Sequence, residues 1–268
     1  MVKVRKITYR MWDILYPVFI YYLISSIVFF ALGMILGSKQ ELYMVKQLIS
    51  SGATIPFLVV SWKQDNEMER IVYGQRDSTS KRRNLERYVV QAILAGIAVG
   101  CLGMACNNFI AMTPLMQVSD GFSTANENFF AGTMPIEILA SCVVVPVAEE
   151  LLFRGIVQKR CARLAGEHVG LLFSALLFGI IHVNLVQFLY AAVLGLVLGV
   201  IVQKTKKVSL AVVGHAMANL IAILRAETGI FEFSYYADWK GVSFSLILLC
   251  VGLAAGYYLT YYLTKERR

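Results

Sequence analysis

Glu149 and Glu150 are adjacent, Arg154 follows four positions after the second, and all three lie in one strongly apolar stretch. Ionisable side chains at membrane depth are costly and are rarely kept without a function. On a helix, Glu150 and Arg154 share a face and can pair, whereas Glu149 is turned by about 100° and meets a different neighbour. In that arrangement a paired Glu150 is structural, and an unpaired Glu149 is free to work as a general base. Two histidines occur in later stretches with almost nothing else to titrate: His182, closing Phe178-Gly179-Ile180-Ile181-His182, and His215, one helical turn before Asn219. His215 and Asn219 fall on one face and could offer two hydrogen-bond donors to one small target, such as an oxyanion. A carboxylate with two histidines (Glu149, His182, His215) could instead hold Zn2+ with a bound water. The plainer alternatives are three charges anchoring a helix end and histidines satisfied by backbone carbonyls. His168, in the polar turn Gly166-Glu167-His168, reads as a solvated residue.

The elements that must position these groups are membrane helices. The 268 residues are 58% hydrophobic and only 16% charged, with a mean hydropathy of +0.64, against about 25% charged in a soluble domain. A spanning helix needs about 20 mainly apolar residues. Eight stretches offer themselves: 12–36, 42–62, 88–111, 135–157, 169–187, 188–202, 208–224 and 242–263. The sixth and seventh are short, and the seventh could be partly re-entrant. This predicts an all-α, polytopic transmembrane bundle of about eight spans, with His182 deep in the fifth. Lysines and arginines cluster before the first span, at 63–87, at 159–163, at 204–207 and at the carboxyl terminus, all on one side of that layout. The positive-inside rule makes both termini cytoplasmic. The net charge of +8 is then explained by loops meeting anionic lipid, so no nucleic-acid partner is expected. The five cysteines form no CxxC pair and read as small apolar residues. The basic residues 1–10 lead into an apolar run without a small-residue cleavage site, which reads as a retained first span. Small-xxx-small pairs at Gly33/Gly37, Gly96/Gly100, Gly195/Gly199 and Gly252/Gly256 predict close helix packing within one bundle.

The three motifs, Glu149-Glu150-x-x-x-Arg154, Phe178-x-x-x-His182 and His215-x-x-x-Asn219, come in this order on successive apolar helices. Together they resemble the CPBP intramembrane protease family, which takes in type II CAAX prenyl endopeptidases and the bacterial "Abi" group linked to bacteriocin processing and immunity. The resemblance covers about 135–224. It divides one integral-membrane domain into spans one to three with their loops (1–134), a catalytic core (135–225), and an outer loop with the last span (226–268). It implies a hydrolase in which Glu149 and His182 activate a water, His215 and Asn219 stabilise the oxyanion, and Glu150, Arg154 and Phe178 support the site. The family is described both as a metalloprotease and with a metal-free glutamate mechanism. Asn219 is a poor zinc ligand, and no third histidine lies in a span, so the sequence favours the second. The implied partners are a membrane-associated protein or peptide substrate and the lipid bilayer, in a bacterial plasma membrane. Two other functions fit the composition: a bacteriocin-immunity or scaffold protein acting by binding, and a transporter, for which the paired broken helices of an inverted repeat are missing.

Overall fold

A computed structural model of the chain describes residues 10–73 and 81–262, with side chains for 10–71 and 85–261. The basic positions Lys3, Arg5, Lys6, Arg76, Lys265, Arg267 and Arg268, and the predicted last-span boundary at Leu263, lie outside the described residues. Among those described there are helices and no strand. The first apolar run forms α1 (Met11–Leu36), whose start is fixed by the Arg10 N–H donating to Asp13 Oδ2 at 2.7 Å. It ends at Gly37, where φ is 80°, a conformation that glycine adopts without strain. Then follow α2 (Tyr43–Tyr73), α3 (Lys81–Ala111) and, in the outer stretch, the short α4 (Asp120–Phe129). The motif stretch is a single unbroken rod of changing pitch. It comprises α5 (Met134–Ile138), a π-helical segment Leu139–Val144, α6 (Val145–Glu150), a second π-helical segment Leu151–Val157, and α7 (Gln158–Ala165). The remaining helices are α8 (Glu167–Ile180), α9 (Leu185–Thr205), α10 (Val208–Thr228) and α11 (Trp239–Tyr257).

Six helices among the described residues are long and apolar enough to cross a bilayer, against the eight stretches expected. The motif rod falls short on composition, because Glu149, Glu150 and Arg154 interrupt its apolar run. The fifth stretch falls short on length: α8 has 14 residues, about 21 Å at 1.5 Å per residue. Its end also corrects the expected boundary between spans five and six. The chain turns at 181–184, and α9 starts at Leu185 rather than Phe188. His182 therefore sits in a turn, not deep in a helix. The cause is Asn184, whose side chain accepts the Gln187 N–H and caps a new helix; a cap inside an apolar run leaves no break in hydropathy. A second correction concerns α2, which runs past Trp62 to Tyr73 through the expected loop. Its polar extension is held by the rod: Arg160 reaches Asp65 at 2.8 Å, Ser61 Oγ at 2.9 Å and the Asp13 carbonyl at 2.6 Å. Lys159 adds Asn66 at 2.7 Å and Glu69 at 3.0 Å, and Arg163 also pairs with Glu69.

Burial is distributed as lipid requires. Phe19, Ile27, Phe30, Met34 and Ile35 of α1 point outward, while Ser50, Ser51, Thr54, Gln91 and Asn108 are buried between helices. With no water at the perimeter, apolar side chains face lipid and polar ones find partners inside. The chain is an integral, multi-pass membrane protein. Its main core forms around the rod, where Ala148, Leu152, Phe153, Ile156 and Val157 meet Ile14 and Tyr21 of α1, Leu58 of α2, Phe178 of α8 and Ala191 of α9. Most of the expected glycine contacts are present: a Cβ at Gly100 would lie 2.7 Å from Ile221, one at Gly199 2.4 Å from Leu171, and one at Gly252 2.7 Å from Leu102. Gly33 and Gly37 have nothing within 4 Å, so that pair does not serve packing inside the bundle.

A further closely packed glycine, Gly170, lies outside those pairs. A Cβ at Gly170 would lie 2.6 Å from the Ala162 nitrogen and 2.7 Å from the Gln158 carbonyl, both rigid backbone atoms of α7. Gly170→Ala is expected to destabilise the purified protein by roughly 3 kcal/mol. Gly33→Ala, in an open helical position, should be neutral or stabilising by up to about 1 kcal/mol. Thermal unfolding of the two variants in detergent checks both signs.

Candidate active site

Glu150 is the point at which the motifs meet. Its Oε1 accepts from Arg154 Nη1 at 2.9 Å and from His215 Nδ1 at 2.8 Å. The first contact joins neighbours one turn apart on the rod, at the pitch change into the π-helical segment Leu151–Val157. The second crosses to α10. Glu150 and Arg154 side chains are wholly buried, so the pair is isolated from solvent, and a charged acceptor makes both hydrogen bonds short and strong. The Arg154 guanidinium also lies over the Phe178 ring, 4.3 Å from its centroid, a cation–π contact from α8. Because a carboxylate only accepts, the His215 hydrogen facing Glu150 is on Nδ1. That turns Nε2 outward, 3.9 Å from Glu149 Oε2. Glu149 is the accessible member of the pair, with 14% of its side chain exposed against none for Glu150. The sequence expectation of an ion pair between Glu150 and Arg154 matches this geometry, but Glu149 does not face a different neighbour: both glutamates meet His215, at its two nitrogens.

His182 is fixed by a different device. Its Nδ1 lies 2.8 Å from the Phe178 carbonyl, one of the last carbonyls of α8 and without a helical donor of its own. A carbonyl accepts, so Nδ1 carries the hydrogen and Nε2 keeps its lone pair. The Phe178 ring stands edge-to-face to both imidazoles, with centroids 5.2 Å from His182 and 5.8 Å from His215. Phe178 thus touches Arg154 and both histidines. Next along the chain, Val183 has φ 61°, an uncommon and strained conformation for a β-branched residue. His168 is exposed at the start of α8, as its polar turn suggested.

Asn219 is placed by a defect in the rod. In the π-helical segment Leu139–Val144, the Val145 N–H bonds the Ala140 carbonyl, five residues back. The next donor in that register would be residue 146, which is proline and has none. The buried Ser141 carbonyl is left without its helical partner, and Asn219 Nδ2 donates to it at 2.7 Å. One N–H of the carboxamide is therefore committed to the rod; a carboxamide carries a second. The sequence reading assigned Asn219 to an oxyanion and did not anticipate this anchor. Pro146, inside a helix, was the available signal.

Among the described residues no three His, Cys, Asp or Glu side chains form a group that could hold a metal ion. The Nδ1 atoms of His215 and His182 are engaged, by Glu150 and by the Phe178 carbonyl. The sequence also did not point to Tyr21 and Tyr22 of α1, which come within electrostatic reach of Glu149. No local pattern marks them, since two tyrosines in an apolar helix are ordinary.

Residues 131–221 match the family model described as "Type II CAAX prenyl endopeptidase Rce1-like". That stretch is similar to the core of the CPBP family. Over 91 residues the chain is 26% identical to "Putative membrane peptidase YdiL" of Bacillus subtilis (strain 168). The match spans 34% of this chain and 37% of that relative. No solved structure matches the chain. The matched stretch contains the rod from α5 onward, α8, α9 and the part of α10 bearing His215 and Asn219. The tyrosines of α1 and the α2 extension that clamps the rod lie outside it.

Two stability measurements test this geometry. Arg154→Met leaves a buried carboxylate with one partner removed and is expected to cost about 3–5 kcal/mol, whereas Glu149→Gln should change the unfolding temperature little. Asn219→Ala strands the Ser141 carbonyl, at a cost of about 1–3 kcal/mol. Pro146→Ala restores a backbone N–H at the position that lacks one. A double-mutant cycle should therefore show Asn219→Ala costing less in the Pro146→Ala background.

Proposed function

We propose that the chain is an intramembrane endopeptidase that hydrolyses a peptide bond in a membrane-associated protein or peptide. In this mechanism Glu149 and the Nε2 lone pair of His182 receive and orient a water. Its oxygen bonds to the scissile carbonyl carbon as its proton passes to the Glu149 carboxylate. The oxyanion is met by N–H donors from His215 Nε2 and Asn219 Nδ2. His215 serves as an imidazolium there, one hydrogen on Glu150 and the other on the oxyanion, and its charge offsets the second carboxylate. Collapse breaks the C–N bond, and the proton held by Glu149 goes to the leaving nitrogen. No step needs a metal. We further propose a bacterial plasma membrane as the setting, with both termini cytoplasmic, from the one-sided distribution of lysine and arginine.

The single observation that carries this reading is the split between the two glutamates. Glu150 is sequestered with Arg154 and His215, while Glu149 lies beside the outward Nε2 of the same histidine and is partly exposed. A binding or immunity protein needs no such division, and the family match is to a group of membrane proteases. Removing the base should abolish turnover, whereas removing one oxyanion donor typically costs about 10²–10³-fold. Mass spectrometry of membrane peptides from cells carrying wild type, Glu149→Ala or His182→Ala is expected to lose the same cleavage products in both variants, with both proteins still inserted. Identical peptide sets in all three strains, or full complementation by Glu149→Ala, would establish a binding role instead.

A further inference from the structure

The turn that carries His182 is more tightly organised than a connection between two helices requires. Asn184 uses both ends of its carboxamide. Oδ1 accepts the Gln187 N–H at 2.9 Å and so caps α9, while Nδ2 donates to the His182 carbonyl at 3.2 Å and also to Gln187 Oε1. Between them, Val183 sits at φ 61° and is 92% exposed. Packing of that side chain therefore does not account for the strained backbone; the polar bonds on either side do. Asn184 is itself held, because Gly121 of α4 packs so close that a Cβ there would lie 3.2 Å from the Asn184 Cβ.

We propose that Asn184 is the positioning residue of His182: by bonding its carbonyl across the strained Val183, Asn184 keeps the imidazole seated on the Phe178 carbonyl with Nε2 unprotonated. An N-cap alone would be served equally by aspartate, serine or threonine. What those residues lack is the N–H that reaches back to His182. The functional consequence rests on the reading above, in which the Nε2 lone pair of His182 takes part in activating water. The structural claim stands without it.

The chain has three histidines, so nitrogen NMR of the full-length, histidine-labelled protein in lipid nanodiscs resolves each imidazole, and His182→Gln identifies the signal of interest. At alkaline pH, where imidazole is neutral, wild-type His182 is expected in the Nδ1–H form. Asn184→Asp and Asn184→Ser both retain a helix-capping oxygen, so either folded variant serves. Each should shift the His182 tautomer ratio toward Nε2–H by roughly threefold or more, the equivalent of one weakened hydrogen bond, with little change in unfolding temperature. His168 and His215 should be unaffected. An unchanged His182 ratio in a folded variant overturns the proposal. In the membrane-peptide assay the same variants should give fewer cleavage products than wild type. If wild type and Glu149→Ala give identical peptides, the protease reading fails while the tautomer result still decides the role of Asn184.

Discussion

The structure depends on one buried carboxylate. Glu150 accepts from Arg154 on its own rod and from His215 on α10 through a single oxygen, with no exposure of its side chain or of the guanidinium. In a medium without water, an isolated charge is far more costly than a paired one, and breaking a buried pair is penalised more than its formation is rewarded. The contact therefore acts chiefly as a constraint on position. It fixes the rotation of α10 relative to the rod and commits the Nδ1 hydrogen of His215 inward. That commitment presents Nε2 to Glu149, so the two adjacent glutamates meet the same imidazole at opposite nitrogens, Glu150 in direct hydrogen bond and Glu149 at 3.9 Å.

Irregular helix geometry supplies the rest of the site. Two π-helical segments flank α6, one ending at Val144 and one beginning at Leu151. Such segments are rare in helices and concentrate at functional positions. At the first, the Ser141 carbonyl accepts from Asn219; at the second, the Phe153 carbonyl accepts the Gln158 N–H and also Ser174 Oγ of α8 at 2.9 Å. The rod is thus tied to α8 and α10 by polar bonds at its points of altered pitch. At its far end Arg160 joins it to α1 and α2. These ties matter more in lipid than they would in water, since no hydrophobic force drives one apolar helix against another. The glycine contacts, such as Gly199 on Leu171 and Gly252 on Leu102, let backbones approach closely enough for those short bonds to form.

Much of the candidate site was legible in the chain. The membrane class followed from hydropathy, and the pairing of Glu150 with Arg154 followed from a four-residue spacing. Less was legible where an apolar run conceals a change of direction. Asn184 ends one helix and starts another within a stretch whose composition does not change, so His182 was expected in a span and sits in a turn. The polar extension of α2 was likewise expected as a loop, because its helical state depends on Arg160, Lys159 and Arg163 of a rod about 95 positions away, as in the Asp65–Arg160 contact.

By itself, the sequence determined the order of the ionisable and amide side chains along the chain, the four-residue spacing that pairs Glu150 with Arg154, and that they sit among lipid-compatible helices. Those properties are local and compositional. Only the tertiary structure decided that His215 spends its Nδ1 hydrogen on Glu150, that Asn219 is anchored to the Ser141 carbonyl, and that Phe178 stands against both histidines. The Glu150–His215 and Ser141–Asn219 contacts span 65 and 78 positions. They depend on how each helix is rotated about its axis. A soluble helix reveals its rotation through an apolar stripe, but a helix apolar on every side does not. In this protein the buried polar contacts set the rotation, and they exist only once the helices have met.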